Sequence, residues 1–240
     1  MKVTVVAILF VLNTFSAFSQ KLTVLSSNQK IKVDLLNQQN EDAGERYLKV
    51  SYIRDGKASE AIPRIDLGLL RSDQDFSKEL KLSKAGKSKS INEQYTALHG
   101  KRSHRSNLAN EVIAYFENPG KAKMNVIIRA YNDGVTFRYD FPEKGDSFIV
   151  EDEMTSYTVP DGAKRWLKKF NPANEGYYRE MTEGQAQQDW AYPVLFQKSD
   201  STCFYLLHEA NMNRNYCGTK PTNNTDQLKY KLTFPIYYET

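Results

Sequence analysis

The chain has little of several residue types that mark whole protein classes. Two cysteines in 240 residues exclude a small fold framed by disulfides. Three scattered histidines, His99, His104 and His208, pair with neither cysteine at the spacing of a structural zinc site. Twelve glycines and eight prolines, beside the 40% hydrophobic and 26% charged residues, exclude a collagen-like repeat, a disordered chain and a multi-span membrane protein. Charge of one sign is also scarce in excess: 33 Lys and Arg against 29 Asp and Glu leave +4, too little by itself to call for a polyanionic partner. Glycine loops that cradle phosphate are missing, since Gly145 and Gly162 stand alone, and so are serine-nucleophile motifs. What is present is 40% hydrophobic and 12% aromatic residues, enough for one large globular core or two small ones.

The N-terminus reads as an address. Met1-Lys2 is a short basic start, Val3 to Leu12 is nearly all apolar, and Ala17 and Ser19 place small residues before a cut at Gln20. This is the three-part form of a secretory signal peptide over residues 1–19. The apolar run is shorter than the roughly 20 residues a spanning helix needs. No later run is apolar enough to span a bilayer, so the expectation is a periplasmic or secreted product with no membrane partner after signal cleavage.

The dominant period along the rest of the chain is two. Met124, Val126, Ile128 and Ala130 fall on one face and Asn125, Ile127 and Arg129 on the other. Asn132-Asp133-Gly134 then supplies residues that tolerate the backbone of a tight turn, and Val135, Phe137, Tyr139 and Phe141 return. Ile31, Val33 and Leu35 alternate in the same way, and Tyr47 to Tyr52 runs to a hairpin signal at Asp55-Gly56. Further strands are expected at 147–150, 156–159, 193–197, 202–208 and 228–234. Helical periodicity is nearly absent, so the pattern predicts an antiparallel all-β fold.

Two segments interrupt it. Ser72 to Ile91 is rich in serine and lysine, and only Phe76 lies near those lysines. It is read as a solvated loop, not a nucleic-acid surface, which would interleave aromatic residues with the cations. Ala163 to Tyr192 holds both tryptophans and several tyrosines among charged residues and reads as a long loop. Trp166, Tyr177, Tyr178 and Trp190 are candidate platforms for sugar rings, whose C–H faces are apolar and whose rims are polar. The competing reading is that these rings only pin the loop to a sheet.

Elsewhere the chemistry is bland. Glu151-Asp152-Glu153 reads as a solvated turn, and no pair of carboxylates stands out as a catalytic couple. Cys203 and Cys217 leave room for one bridge, against a buried free Cys203 in its apolar run, which is the favoured reading. A sequon at Asn223 carries little weight.

The run Arg129-Ala130-Tyr131-Asn132-Asp133-Gly134-Val135-Thr136-Phe137-Arg138-Tyr139 closely resembles a hairpin of the N-terminal domain of glycoside hydrolase family 97. Other stretches follow in that family's order. Leu67-Gly68-Leu69 is similar to a strand end, although Ile65 and Asp66 precede it in place of the usual serine. Ser106 to Glu111 resembles an arginine-led stretch, with Ser106 in the arginine's place. Glu175-Gly176-Tyr177-Tyr178 follows Trp166 as in the family, and Pro193 to Gln197 and His208 to Met212 match two further segments. The resemblance spans Leu22 to Pro235.

It implies a large antiparallel β-super-sandwich, galactose-mutarotase-like, with few short helices, over residues 22–240 and packed on a catalytic TIM barrel. Members are exported, calcium-dependent α-glucosidases or α-galactosidases acting on α-linked glucosyl or galactosyl oligosaccharides. Both catalytic carboxylates come from the barrel, and the N-terminal domain lends one glutamate to the calcium, at the position of Glu175. The chain stops at Thr240, so a truncated frame without its catalytic barrel, itself inactive, is expected. Two alternatives stand beside this: a stand-alone exported carbohydrate-binding sandwich, and a purely structural or protein-binding one.

Overall fold

The computed structural model describes residues 19–38, 45–98, 100–145, 147–181, 188–212, 214, 216–223 and 228–235. Most of the signal segment, His99 and the last two residues of the sequon lie outside the described residues. Nineteen strands run through the described residues, with no helix among them. They are β1 (Ser19–Leu25), β2 (Ile31–Gln38), β3 (Glu45–Arg54), β4 (Lys57–Asp66), β5 (Leu69–Arg71), β6 (Lys81–Ala85) and β7 (Lys89–Thr96). There follow β8 (His104–Glu117), β9 (Lys123–Tyr131), β10 (Val135–Asp140), β11 (Val150–Glu153), β12 (Ser156–Thr158) and β13 (Lys164–Leu167). The last six are β14 (Arg179–Met181), β15 (Gln188–Asp189), β16 (Val194–Gln197), β17 (Phe204–Leu207), β18 (Lys220–Asn223) and β19 (Lys229–Thr233).

An eight-stranded sheet has the order β1-β2-β3-β4-β12-β19-β18-β15, and a second sheet has β10-β9-β8-β6, with β7 also paired to β8. A four-stranded sheet, β14-β13-β16-β17, and the pair β11-β5 complete the all-β sandwich. Val33, Leu35 and Leu48 of the large sheet share one buried cluster with Val112, Phe116, Met124 and Ile128 of the second and Leu167, Val194 and Phe196 of the third. Every pairing between strands is antiparallel, so each face alternates core and solvent and the buried set is fixed by register.

Turn chemistry places the hairpins. Asp55 and Gly56 both have positive φ, 51° and 72°, which the two-residue turn between β3 and β4 requires. Between β9 and β10 the Tyr131 N–H donates to the Gly134 carbonyl at 2.8 Å, and Met124, Val126, Ile128 and Ala130 are buried together.

The structure corrects several sequence readings. Ser72 to Ile91 is not a solvated loop: it contains β6 and the start of β7, and Phe76, Leu80 and Leu82 are buried. These strands bury few side chains, and lysines on a sparsely covered strand look like loop composition. The fourteen-residue β8 has Val112, Ala114 and Phe116 facing the core. The acidic triplet lies in β11 and Glu153 is buried, so it is no solvated turn. Both cysteines are free, Cys203 half-buried and Cys217 exposed.

Candidate functional site

The segment from Ala163 to Tyr192 is mostly a hairpin tied to its neighbours. Trp166 pairs with Glu180, and Leu167 with Arg179, across β13 and β14. Beyond β13, the Phe170 N–H donates to the Asp189 carbonyl at 2.9 Å and the Ala191 N–H to the Lys168 carbonyl at 2.8 Å. Lys220, buried, reaches Asp189 at 2.9 Å and lies 4.6 Å from the Phe170 ring centroid.

The tip between the two strands is built from asparagines. Asn171 Oδ1 accepts the Ala173 N–H at 2.9 Å, and the Asn171 carbonyl accepts the Asn174 N–H at 2.7 Å. That is the side-chain-closed turn Asn favours. Asn174 takes φ 54°, which Asn tolerates better than most residues. Gly176 follows at φ 139°, where a Cβ would sit 3.6 Å from the Lys168 stem. Lys168, buried, donates its Nζ–H to Asn174 Oδ1 at 2.7 Å and holds the tip against the sheet.

Glu175 is at this tip and exposed, and no described residue pairs with its carboxylate. Tyr177 beside it is 91% exposed and Tyr178 43%. Lys168 Nζ lies 5.5 Å from the Tyr178 ring centroid. The face of the four-stranded sheet that turns away from Leu167, Val194 and Phe196 carries Trp166, Leu195 and Leu206 in register on β13, β16 and β17. Phe204, 59% exposed, has its ring centroid 6.1 Å from that of Trp166, and Leu206 is 55% exposed. Clustered apolar side chains of this kind on a sheet face mark an interaction surface.

Thus Trp166, Glu175, Tyr177 and Tyr178 belong to one hairpin. Trp190 does not join them. It is 2% exposed and donates its Nε1–H to Asn223 Oδ1 at 2.6 Å. Such a ring has no face left for a sugar to stack on, which corrects its place among the carbohydrate candidates. Asn223 is equally buried, so the asparagine of the sequon is not at the surface. Sequence reasoning missed Leu195, Phe204 and Leu206; apolar residues at both odd and even positions of β17 were the available signal.

The hairpin cannot complete a calcium site alone. Calcium takes 6–8 oxygen ligands, of which one glutamate supplies at most two. Among the described residues no group of three or more His, Cys, Asp or Glu is placed to hold a metal. The nearby Glu180 is spent on Lys164 at 3.2 Å. Glu175, exposed and without a described partner for its carboxylate, is open to a ligand from outside this chain.

The segments that carry the sequence resemblance are joined inside the fold. Arg129 donates to Glu111, and the Gly68 N–H donates to the Tyr139 hydroxyl at 3.0 Å. Glu209 accepts the Thr219 N–H at 3.0 Å and the Thr219 hydroxyl at 2.7 Å. These motif residues tie sheets and loops together.

Fold and hairpin define an antiparallel β-sandwich module with a polar tip beside an apolar sheet face. The chain matches the family described as Glycosyl-hydrolase 97 N-terminal over residues 24–236 and belongs to it. It is 24% identical over 167 residues to a probable retaining alpha-galactosidase of Streptomyces bingchenggensis (strain BCW-1), covering 69% of this chain and 26% of that protein. Among solved structures it is similar to a beta-arabinopyranosidase, with TM-score 0.77 and 23% identity, over 90% of this chain and 36% of the other. A family 97 enzyme of Pseudoalteromonas sp. strain K8, solved with panose and with acarbose, gives TM-score 0.73 and 22% identity, over 89% of this chain and 32% of that one. The chain therefore spans about a quarter to a third of the length of these relatives.

Proposed function

We propose that this chain is the N-terminal module of an exported, calcium-dependent α-glycosidase, an α-glucosidase or α-galactosidase. It acts in the periplasm or outside the cell on α-linked glucosyl or galactosyl oligosaccharides. The module seats on a catalytic TIM-barrel domain and lends Glu175 to the calcium, which, once bound, supplies positive charge beside the sugar. Its own residues position: Lys168 and the asparagine turn hold the tip, and the face of Trp166, Leu195, Phe204 and Leu206 packs on the partner domain. The observation that carries the reading is the hairpin, which presents an unpaired carboxylate at an exposed tip beside an apolar face in a chain of this family.

The test has two arms. The chain alone is expected to show no tight calcium binding by calorimetry and no release from aryl α-glucosides or α-galactosides. Joined to a family 97 catalytic domain, it is expected to support calcium-dependent hydrolysis, with Glu175→Gln lowering calcium affinity at least tenfold. Calcium-dependent hydrolysis by the chain alone, or an unchanged calcium affinity in the variant, overturns the reading.

A stand-alone carbohydrate-binding sandwich is the second reading, favoured by the exposed rings of Tyr177, Tyr178 and Phe204. It predicts saturable binding of maltose-type or galactosyl oligosaccharides to this chain, lost in Trp166→Ala. Flat calorimetry across such sugars disposes of it.

A further inference from the structure

Strands β7 and β8 continue as a two-stranded arm past the end of β9. The last residue of β8 paired to β9 on that side is Ala109, opposite Tyr131, whereas β7 and β8 go on pairing from Asn92↔Leu108 to Thr96↔His104. Five further pairs extend the arm by roughly 17 Å. Both faces of it are largely open to solvent. A ribbon of two strands without a third strand or a packed face is marginal in water, so the arm is suited to gaining a partner.

Beyond Glu93, which Arg129 engages at the base, its chemistry is one-sided. From Gln94 to Asn110 there is no Asp or Glu, while Lys101, Arg102 and Arg105 all fall in that stretch. No described carboxylate pairs with any of the three. At the tip Leu98 is 99% exposed, and Tyr95 stands opposite Arg105 in the register, 52% exposed. The loop is closed by the Ala97 N–H donating to the Ser103 carbonyl at 2.7 Å. A protein groove takes apolar side chains in a stripe along one face. Here an aliphatic side chain sits at the point, an aromatic one stands just behind it opposite Arg105, and Lys101 and Arg102 lie in the same tip. That is the distribution that suits the boundary between lipid headgroups and acyl chains.

We propose that the β7–β8 arm docks peripherally on an anionic lipid surface, with Leu98 entering the interface and Lys101, Arg102 and Arg105 meeting lipid phosphates. Among the described residues no helix is long and apolar enough to cross a membrane, and no membrane partner is expected from the sequence; a tip of this size touches a bilayer without crossing it. Attraction of about fivefold per cation makes the binding weak and reversible.

The test is co-sedimentation of the purified chain with vesicles of equal parts phosphatidylglycerol and phosphatidylcholine, against vesicles of phosphatidylcholine alone. The chain is expected on the anionic vesicles only and to be released near 1 M salt, where the screening length shrinks to about 3 Å. Lys101→Ala with Arg102→Ala lowers partitioning about 25-fold at unchanged melting temperature. A Leu98→Trp reporter shifts its emission to the blue on the anionic vesicles. Equal binding to both vesicles, full binding by the double variant, or an unshifted reporter overturns the proposal. So does retention on polyaspartate without vesicle binding, which identifies an acidic protein as the partner. None of these outcomes depends on the glycosidase reading.

Discussion

Arg129 of β9 donates its Nε–H to the Glu111 carboxylate of β8 at 2.7 Å and an Nη1–H to Glu93 of β7 at 3.1 Å. One guanidinium thus clamps three strands at the base of the projecting arm. Hydrogen bonding with the Tyr131 hydroxyl, then Glu111, holds Arg129 well above the ordinary guanidinium value. The pair is partly solvated, so its strength is moderate. A double-mutant cycle with Arg129→Met and Glu111→Gln, read by urea denaturation, is expected to give a coupling of about 1 kcal/mol. A coupling of zero would show that the clamp is decorative.

Trp190 and Asn223 form a buried polar contact within the core. Trp190→Phe leaves the Asn223 amide carbonyl without its donor and is expected to cost about 1–3 kcal/mol. Trp190→Ala adds a large cavity and is expected to cost about 3–5 kcal/mol. Chemical denaturation distinguishes this from a surface platform, for which either change would stay near 0.5 kcal/mol.

Glu153 gives the fold a pH dependence of unusual direction. Burial is the largest cause raising its carboxyl above the ordinary 4.5; hydrogen bonds from Thr155 and Tyr216 oppose this, and Glu209 and Asp152 push further upward. A carboxyl raised in the native state holds its proton more firmly folded than unfolded. The fold therefore carries no penalty from it below the ordinary value and loses stability as pH rises through the native one. Glu153→Gln keeps an acceptor for Tyr216 and carries no charge. Its melting temperature relative to the parent is expected to climb as pH rises above the ordinary 4.5 and to level off once pH passes the raised native value. A difference that stays level, or falls, would show that Glu153 titrates at its unfolded value or below it.

Gly68 is held at φ 154°, and a Cβ there would lie 3.2 Å from Met154 Cβ and 3.3 Å from the Phe76 carbonyl oxygen. Its N–H is already engaged by Tyr139, so the backbone has little room to retreat. Gly68→Ala is expected to cost about 1–3 kcal/mol, measured as a shift in the denaturation midpoint.

The β9–β10 hairpin was legible because alternation and turn chemistry agree there, residue by residue, from Met124 to Tyr139. The strands β6 and β7 were not, because they bury little beyond Leu82 and Ile91 and so print almost no apolar period. At the candidate site the residue types around Glu175 were visible as an aromatic and charged cluster. The division within that cluster was not. Trp166 and Trp190 look alike in sequence, and what separates them is pairing with distant partners. Trp166 faces Leu195 across β16 on an outward face, whereas Trp190 meets Asn223, 33 residues away, in the interior. Local pattern carries no trace of a contact at that separation.

The two thiols have a practical consequence. Desolvation of half-buried Cys203, and for Cys217 the partial desolvation of an otherwise exposed thiol together with the Glu209 and Glu153 carboxylates, push both above the ordinary thiol value, so neither is a ready nucleophile at neutral pH. With no bridge between them, a reducing compartment costs the fold no internal crosslink, while the exposed Cys217 thiol stays open to oxidation in an oxidising one. A bacterial cytoplasm can therefore produce the native connectivity without an oxidase or a disulfide isomerase, and reductant in the buffer leaves that connectivity intact.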